Sequence, residues 1–317
     1  MKELVVVAIG GNSIIKDNAH QSVTHQAAAV KQVAAAVLEM LELGYDIVLT
    51  HGNGPQVGLD LRRAEIAHEK EGLPLTPLAN CVADTQGGIG YLIQQALNNL
   101  LVERGYKHAV AVITQVEVDQ HDPCFAHPTK PIGAFFDIQQ RDALQQAHPD
   151  WHFIEDSGRG YRRVVASPDP KRIVEADAIK ALTEHGFVVI GAGGGGIPVI
   201  RTKQQGYQGV DAVIDKDLST ALLAQEIAAD ILVITTGVEK VCVNFGKPSQ
   251  RALDVVTTTE MAKFIDEGHF PAGSMLPKIT ASLDFLKNNG KKVIITSPEC
   301  LPAALRGETG THIIHHA

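Results

Sequence analysis

Residues 4–13 read Leu4-Val5-Val6-Val7-Ala8-Ile9-Gly10-Gly11-Asn12-Ser13, and this stretch decides the fold. Six apolar residues in succession read as a buried strand, and the run stops abruptly in glycine. Next comes a segment with Val30, Val33, Val37 and Leu41 at helical spacing on one face and Gly44 as its stop signal. A second strand, Asp46 to Thr50, then runs into His51-Gly52-Asn53-Gly54-Pro55. Strand, helix and strand in this order, with glycine closing each strand, form the repeating unit of a parallel sheet joined by helices.

The same rhythm extends down the chain. Ala109 to Val118, Phe187 to Ala192, Ile231 to Thr236 and Val293 to Ser297 read as further strands, several of them preceded by helix stops at Gly105, Gly186 and Gly290. Ser167-Pro168-Asp169-Pro170 reads as a helix start, with Asp169 as N-cap and Pro170 in the first helical position. Thr257 and Glu260 have the spacing of a capping box. The expected fold is α/β, with a mainly parallel central sheet covered by helices on both faces. Between about residues 119 and 167 the pattern gives way to His, Pro, Gly, Asp and Arg, and this region holds the only tryptophan, Trp151. An insertion of this length in an α/β domain points to a lid or small subdomain.

With 317 residues, 44% of them hydrophobic and 20% charged, the chain has ample material for a core. A net charge of -8 argues against a surface that tracks nucleic acid or an anionic membrane, while leaving room for a locally positive pocket. The four cysteines (Cys81, Cys124, Cys242, Cys300) are widely spaced without a CxxC pair, as expected of reduced thiols. No basic region precedes the first strand, and no apolar run approaches the roughly 18 residues of a membrane span, so the cytoplasm is the expected location.

Glycine at a strand end lets the backbone approach an anion closely, and NH groups ahead of a helix can then bind it without a charged side chain. One such loop fits an ordinary tight turn equally well; two at successive strand ends favour an anion site. Gly191-Ala192-Gly193-Gly194-Gly195-Gly196 also satisfies G-x-G-x-x-G, but Ile197-Pro198-Val199-Ile200 follows where a dinucleotide fold needs a helix. The pattern GxxxxGK[ST] is absent, since Pro248 follows Gly246-Lys247. Two lysines stand at helix starts, Lys216 within Asp215-Lys216-Asp217 and Lys278 after Ser274-Met275-Leu276-Pro277. From the first segment alone the plainer reading is Asp217 as N-cap and Lys216 as a solvated lysine. His312, His315 and His316 read as a polar tail after a final strand, with no coordination set for a protein-bound metal.

Taken in order, VVVAIGGNS, THGNGPQVG, DTQGGIGY, TQVEVDQHDPCFAHPTKPIG, DSGRGYRRVVASP, GGGGIPV, AVIDKDLSTALLA, EGHFPAGSMLPK and GETGTHI resemble the carbamate kinase family over nearly the whole chain. The resemblance implies an open αβα sandwich of the amino acid kinase type, usually dimeric, as a single domain over 1–317. An acceptor-binding half would span about 1–210, including a protruding lid at about 119–167, and a nucleotide-binding half about 211–317. It implies the reaction ATP + carbamate ⇌ ADP + carbamoyl phosphate with Mg²⁺ carried by the nucleotide, commonly run toward ATP. Gly10, Gly11, Asn12, Gly52 and Asn53 would hold carbamate and the transferring phosphoryl group through NH donors. Lys216 and Lys278 would offset its charge, Asp217 would orient them, and Lys130 would reach in from the lid. Thr236, Gly237, Met275 and Lys278 would contact the nucleotide.

Related kinases on this fold often carry a lysine where this chain has Ala8; carbamate kinases share its lack, and Lys216 would supply the charge. This separates the reading from an acetylglutamate- or aspartate-type kinase. Departures from the family pattern are Leu276 in place of glycine, Thr235-Thr236-Gly237 in place of an LTD-like sequence, and Pro77-Leu78-Ala79-Asn80 in place of a Pro-Leu-Asp-Val-like one. Leu276 is expected to crowd the backbone's approach to the nucleotide. The first two departures frame a further alternative, a catalytically weak relative that binds nucleotide as a regulator.

Overall fold

The computed structural model describes residues 2–10, 22–156, 158–271 and 274–315. Its strands are β1 (Leu4–Ile9), β2 (Asp46–His51), β3 (Ala109–Ala111), β4 (Gln115–Val118), β5 (Lys130–Phe136), β6 (His152–Glu155), β7 (Tyr161–Val165), β8 (Pro170–Ile173) and β9 (Val188–Ile190). They continue with β10 (Ile197–Thr202), β11 (Gly206–Gly209), β12 (Ile231–Thr235), β13 (Cys242–Val243), β14 (Arg251–Ala252), β15 (Val255–Thr257), β16 (Lys292–Thr296) and β17 (Thr311–Ile314).

Eight of them form the central sheet in the order β15-β17-β16-β12-β1-β2-β9-β3. All neighbouring pairs are parallel except β16 and β17. Side-chain alternation divides each strand between two cores. Val5, Val7 and Ile9 of β1 face the layer built from helices Val23–Glu42, Leu78–Leu101 and Leu301–Leu305. Val6 and Ala8 face the opposite layer, built from helices Ala176–Glu184, Lys216–Glu226, Thr258–Asp266 and Met275–Lys287. The molecule is thus an αβα sandwich, and β1 is buried on both faces because each of its sides closes a different core.

Two expectations are corrected. The run Ala109 to Val118 is not one strand: it leaves the central sheet after β3 and resumes as β4 in a four-stranded sheet ordered β11-β10-β4-β8. Gln86 causes the break, since its side-chain oxygen accepts from Thr114 N at 2.8 Å and its amide donates to Thr114 O at 3.0 Å. These bonds occupy backbone groups that a continuous strand would pair. Likewise Asp169-Pro170 does not open a helix. Pro170 lies in β8, at the edge of the small sheet where a missing NH is tolerated, and the helix begins only at Ala176. Asp169 instead donates its backbone NH to Asp122 Oδ2 at 3.1 Å. The capping box forms as read, with Thr257 and Glu260 bonding reciprocally.

Residues 130–165 carry more regular structure than their composition suggests, namely an antiparallel sheet ordered β5-β7-β6 and a capped helix, Ile138–Ala147. This unit is seated on helix Gly54–Glu71 by backbone contact: a methyl group on Gly58 would lie 2.1 Å from Gly133 N of β5. Farther along the helix the contact is ionic and aromatic. Arg163 of β7 pairs with Glu65, His148 approaches Glu69 at 3.5 Å, and Trp151 lies between the His148 ring at 3.9 Å and the Arg163 guanidinium at 3.8 Å. No helix among the described residues is long and apolar enough to cross a membrane.

Candidate active site

Strands β1 and β12 are neighbours whose following helices lie on opposite faces of the sheet, so the carboxyl ends of these strands open a crevice at a switch in topology. The loops after β1, β2 and β12 meet there. Gly10 N donates to Thr235 Oγ1 at 3.0 Å, and that hydroxyl donates to Ala8 O at 3.0 Å, which ties the two strand ends together. Gly11 and Asn12 lie outside the described residues.

Helix Lys216–Glu226 points its amino end into the crevice region. Its N-cap is Asp215, not Asp217: Asp215 Oδ1 accepts from Asp217 N at 2.9 Å and from Leu218 N at 3.4 Å. Asp215 Oδ2 accepts from Lys130 Nζ at 2.7 Å, so the cap also anchors the first residue of β5. Relieved of capping, Asp217 turns inward and is buried. Its Oδ1 accepts from Lys216 Nζ at 2.5 Å, and its Oδ2 from Lys278 Nζ at 2.7 Å. Lys216 is therefore not a solvated surface lysine; its side chain is only 12% exposed.

These ionisations hold one another in place. Burial alone would raise the Asp217 carboxyl, but the ammonium groups of Lys216 and Lys278 outweigh it and keep the group well below the usual carboxylate range. Asp215 follows the same logic, with burial opposed and overcome mainly by Lys130. Burial presses Lys216 below the ordinary lysine range, Asp217 countering this and Lys278 adding to it. The result is three cations and two carboxylates converging from β5 and two helix starts.

Local bonds fix this cluster to the sheet. Thr220 Oγ1 donates to Lys216 O at 2.6 Å, so its 2.6 Å contact with Thr50 Oγ1 must take the proton from Thr50. Ser219 Oγ donates to Gly195 O at 2.6 Å. The glycine run 191–196 is accordingly no dinucleotide turn; β10 follows it, as its sequel indicates, and it packs against the loop after β2. A methyl on Gly193 would meet His51 Nε2 at 2.3 Å, and one on Gly194 would meet Asn53 Nδ2 at the same distance. Gly194 also has φ +68°, so glycine is needed there on both counts.

One expected role changes. The NH of Gly52 donates to Ile9 O at 3.0 Å and that of Gly10 to Thr235, so neither is left for a ligand. The first bond extends the pairing of β1 with β2 and the second ties the ends of β1 and β12 through a side chain, and the two glycines contribute closeness of approach instead. Asn53 is the N-cap residue of helix Gly54–Glu71, yet its side chain donates to Thr85 Oγ1 at 3.1 Å rather than capping, so among the described residues the first-turn NH groups have no side-chain cap.

On the other side of the crevice Thr236 is half-buried, with its NH on Thr296 O at 2.9 Å, and Gly237 is exposed with open space around it. Met275 and Leu276 both pack against the core on the face of helix Met275–Lys287. Leu276 thus has a packing role, which the expectation of crowding did not include. Sequence reasoning passed over Asp215, whose flanking Asp-Lys-Asp pattern is ambiguous as to the cap, and His51, which is fully buried beside Lys216 and has its pKa lowered to about 4, mainly by burial. It also missed Gln86, for which no local signal exists.

A buried carboxylate shared by two lysines, with a helix start whose side-chain cap is missing after β2, has the features that suit anionic phosphoryl chemistry. Comparison with known proteins agrees. Residues 3–297 match the amino acid kinase family. The chain is 79% identical over 314 residues to a carbamate kinase-like protein YahI of Escherichia coli K12, covering 99% of each. It is 46% identical over 313 residues to a carbamate kinase of Clostridium perfringens, covering 98% of this chain and 99% of the other. Carbamate kinase from Giardia lamblia bound to AMP-PNP superposes with a TM-score of 0.90 at 40% identity, each chain covered to 99%. The protein belongs to the amino acid kinase family, a family of phosphotransferases, and within it to the carbamate kinases.

Proposed function

We propose that the protein transfers a phosphoryl group between carbamoyl phosphate and ADP, yielding ATP and carbamate, and that Lys216, Lys278, Lys130 and Asp217 carry the reaction. The observation behind this is the division of the Asp217 carboxylate between Lys216 and Lys278. A β-phosphate oxygen of ADP attacks phosphorus. The bond from phosphorus to the carbamoyl oxygen breaks, and its electron pair leaves with carbamate. No proton moves, so no general base is required. The need is for fixed positive charge around the equatorial oxygens, and lysines already oriented by a buried carboxylate supply it without reorganisation.

Asn53 and the first turn of helix Gly54–Glu71, with Gly10 and Gly52 allowing close approach, hold the carbamoyl end, a task in which Gly11 and Asn12 share; Thr236, Gly237 and Met275 flank the nucleotide. Asp215 and Asp217 are committed to lysines, so Mg²⁺ fits here as an ion borne on the nucleotide phosphates, where it would neutralise their charge. The residues around 130–165 act as the lid of an acceptor-binding half, a cytoplasmic location suits small soluble substrates, and the working form is a homodimer.

A second reading, nucleotide binding with little turnover, draws on Leu276 and Thr236-Gly237, which depart from the family pattern on the nucleotide side. One experiment separates the two. Purified protein is supplied with carbamoyl phosphate and Mg-ADP and ATP is read, alongside acetylglutamate, aspartate and glutamate with Mg-ATP. ATP formation supports the proposal; turnover only of an amino acid refutes it; nucleotide binding without either activity favours the second reading.

A further inference from the structure

We propose that the side-chain oxygen of Gln56 receives a hydrogen bond from the amino group of the carbamoyl unit, and so sets a preference for carbamoyl over acyl phosphates. This rests on the carbamate reading above and deepens it. Gln56 is the third residue of helix Gly54–Glu71, one turn past Asn53, and is only 9% exposed. Its amide nitrogen donates to Gln26 Oε1 at 3.4 Å, across to the first turns of helix Val23–Glu42. Because Gln26 offers an oxygen, Gln56 must turn its own oxygen away, and that atom has no hydrogen-bond partner among the described residues. A buried acceptor left without a donor is uncommon and calls for an explanation.

The chemistry of the acceptor supplies one. Carbamoyl phosphate differs from acetyl phosphate in bearing NH₂ where the latter bears CH₃. Lysines and backbone NH groups recognise oxygens and are blind to that difference; only a hydrogen-bond acceptor detects it. The two carboxylates of the cluster are already engaged, Asp217 by Lys216 and Lys278, and Asp215 by Lys130 and backbone NH groups. Gln56 Oε1 is an acceptor still unfilled. Its position suits the acceptor end of the crevice, since it lies in the first turn of the helix that follows β2, next to Asn53 at the carboxyl end of that strand. A site that hydrogen-bonds a substrate NH discriminates strongly against an analogue lacking it.

The test compares wild type with Gln56→Met, which keeps the length of the side chain and removes the acceptor. kcat/KM is measured with Mg-ADP for carbamoyl phosphate and for acetyl phosphate. If acetyl phosphate turns over too slowly, its inhibition constant against carbamoyl phosphate serves as the second arm. The expected result is a loss of roughly ten- to hundredfold for carbamoyl phosphate with acetyl phosphate little changed, so that the preference collapses. Proportional loss on both substrates would mark Gln56 as structural and overturn the proposal, as would no loss on either. Failure of the carbamate reading is separate, for it would show in the wild type as no ATP from carbamoyl phosphate.

Discussion

Lys278 Nζ donates to Asp217 Oδ2 at 2.7 Å, joining two helix starts 61 positions apart in the chain. Lys216 bonds the other oxygen of the same carboxylate. If both lysines act chiefly on the transition state, Lys216→Met and Lys278→Met should each lower kcat and kcat/KM together, by roughly 10² to 10³-fold. Steady-state kinetics with carbamoyl phosphate and Mg-ADP measure this, and near-normal turnover in both variants would remove the mechanism.

Replacing the carboxylate has a different signature. Asp217→Asn leaves two lysines facing each other with their counter-charge gone, at an expected cost of about 3 kcal/mol in stability, in addition to lost activity. Adding Lys278→Met should recover part of that stability, because one unpaired cation is removed. Chemical denaturation of the two single variants and the double variant gives the coupling energy.

Lys130 differs from both, being carried on β5 and held by the cap residue Asp215. If it helps to seat the acceptor as well as to offset charge, Lys130→Met should raise KM for carbamoyl phosphate as well as lower kcat. A fall in kcat with KM unmoved would exclude the seating role.

His51 supplies a pH dependence of stability. Its pKa falls from 6.5 to about 4 in the fold, so the unfolded chain binds the proton more tightly. The imidazole therefore costs nothing above pH 6.5, and stability drains away as pH drops from there toward 4, by up to about 3 kcal/mol from this group. In His51→Gln, denaturant melts across that range should show a shallower decline. An unchanged slope would mean that His51 does not titrate this way.

Leu276 was expected to hinder nucleotide approach, but its packing against the core points to stability first. Leu276→Gly should destabilise the protein by about 2 kcal/mol through lost packing and lower helix propensity, with ADP affinity unchanged by calorimetry. Markedly tighter ADP binding would restore the crowding explanation.

The central sheet was legible because its buried parallel strands are largely apolar: β1, β2 and β9 each run straight into glycine, and β12 and β16 stand out as short apolar runs. The four-stranded sheet was not, because the break after β3 is imposed by Gln86, whose side chain reaches Thr114 from a separate helix. Periodicity also could not show that Pro170 lies on a sheet edge, where proline is compatible with a strand. At the site, Lys216 and Lys278 were readable as residues at helix starts, yet only tertiary placement reveals that they share Asp217. The cap itself was misread by two residues, since Asp215 and Asp217 are equally good candidates until burial separates them.

The seat of the β5-β7-β6 unit on helix Gly54–Glu71 combines two kinds of contact that respond differently to the medium. Arg163 with Glu65 and His148 with Glu69 are charge contacts, weakened by added electrolyte and, for the histidine, dependent on protonation. The meeting of Gly58 with Gly133 is steric, made by the lack of any side chain, and neither salt nor acid alters it. Changes in ionic strength should therefore loosen the outer end of this unit while leaving the register of β5 against the helix intact. Lys130 begins that strand, so its alignment with Asp215 is buffered against ionic variation in the surrounding medium.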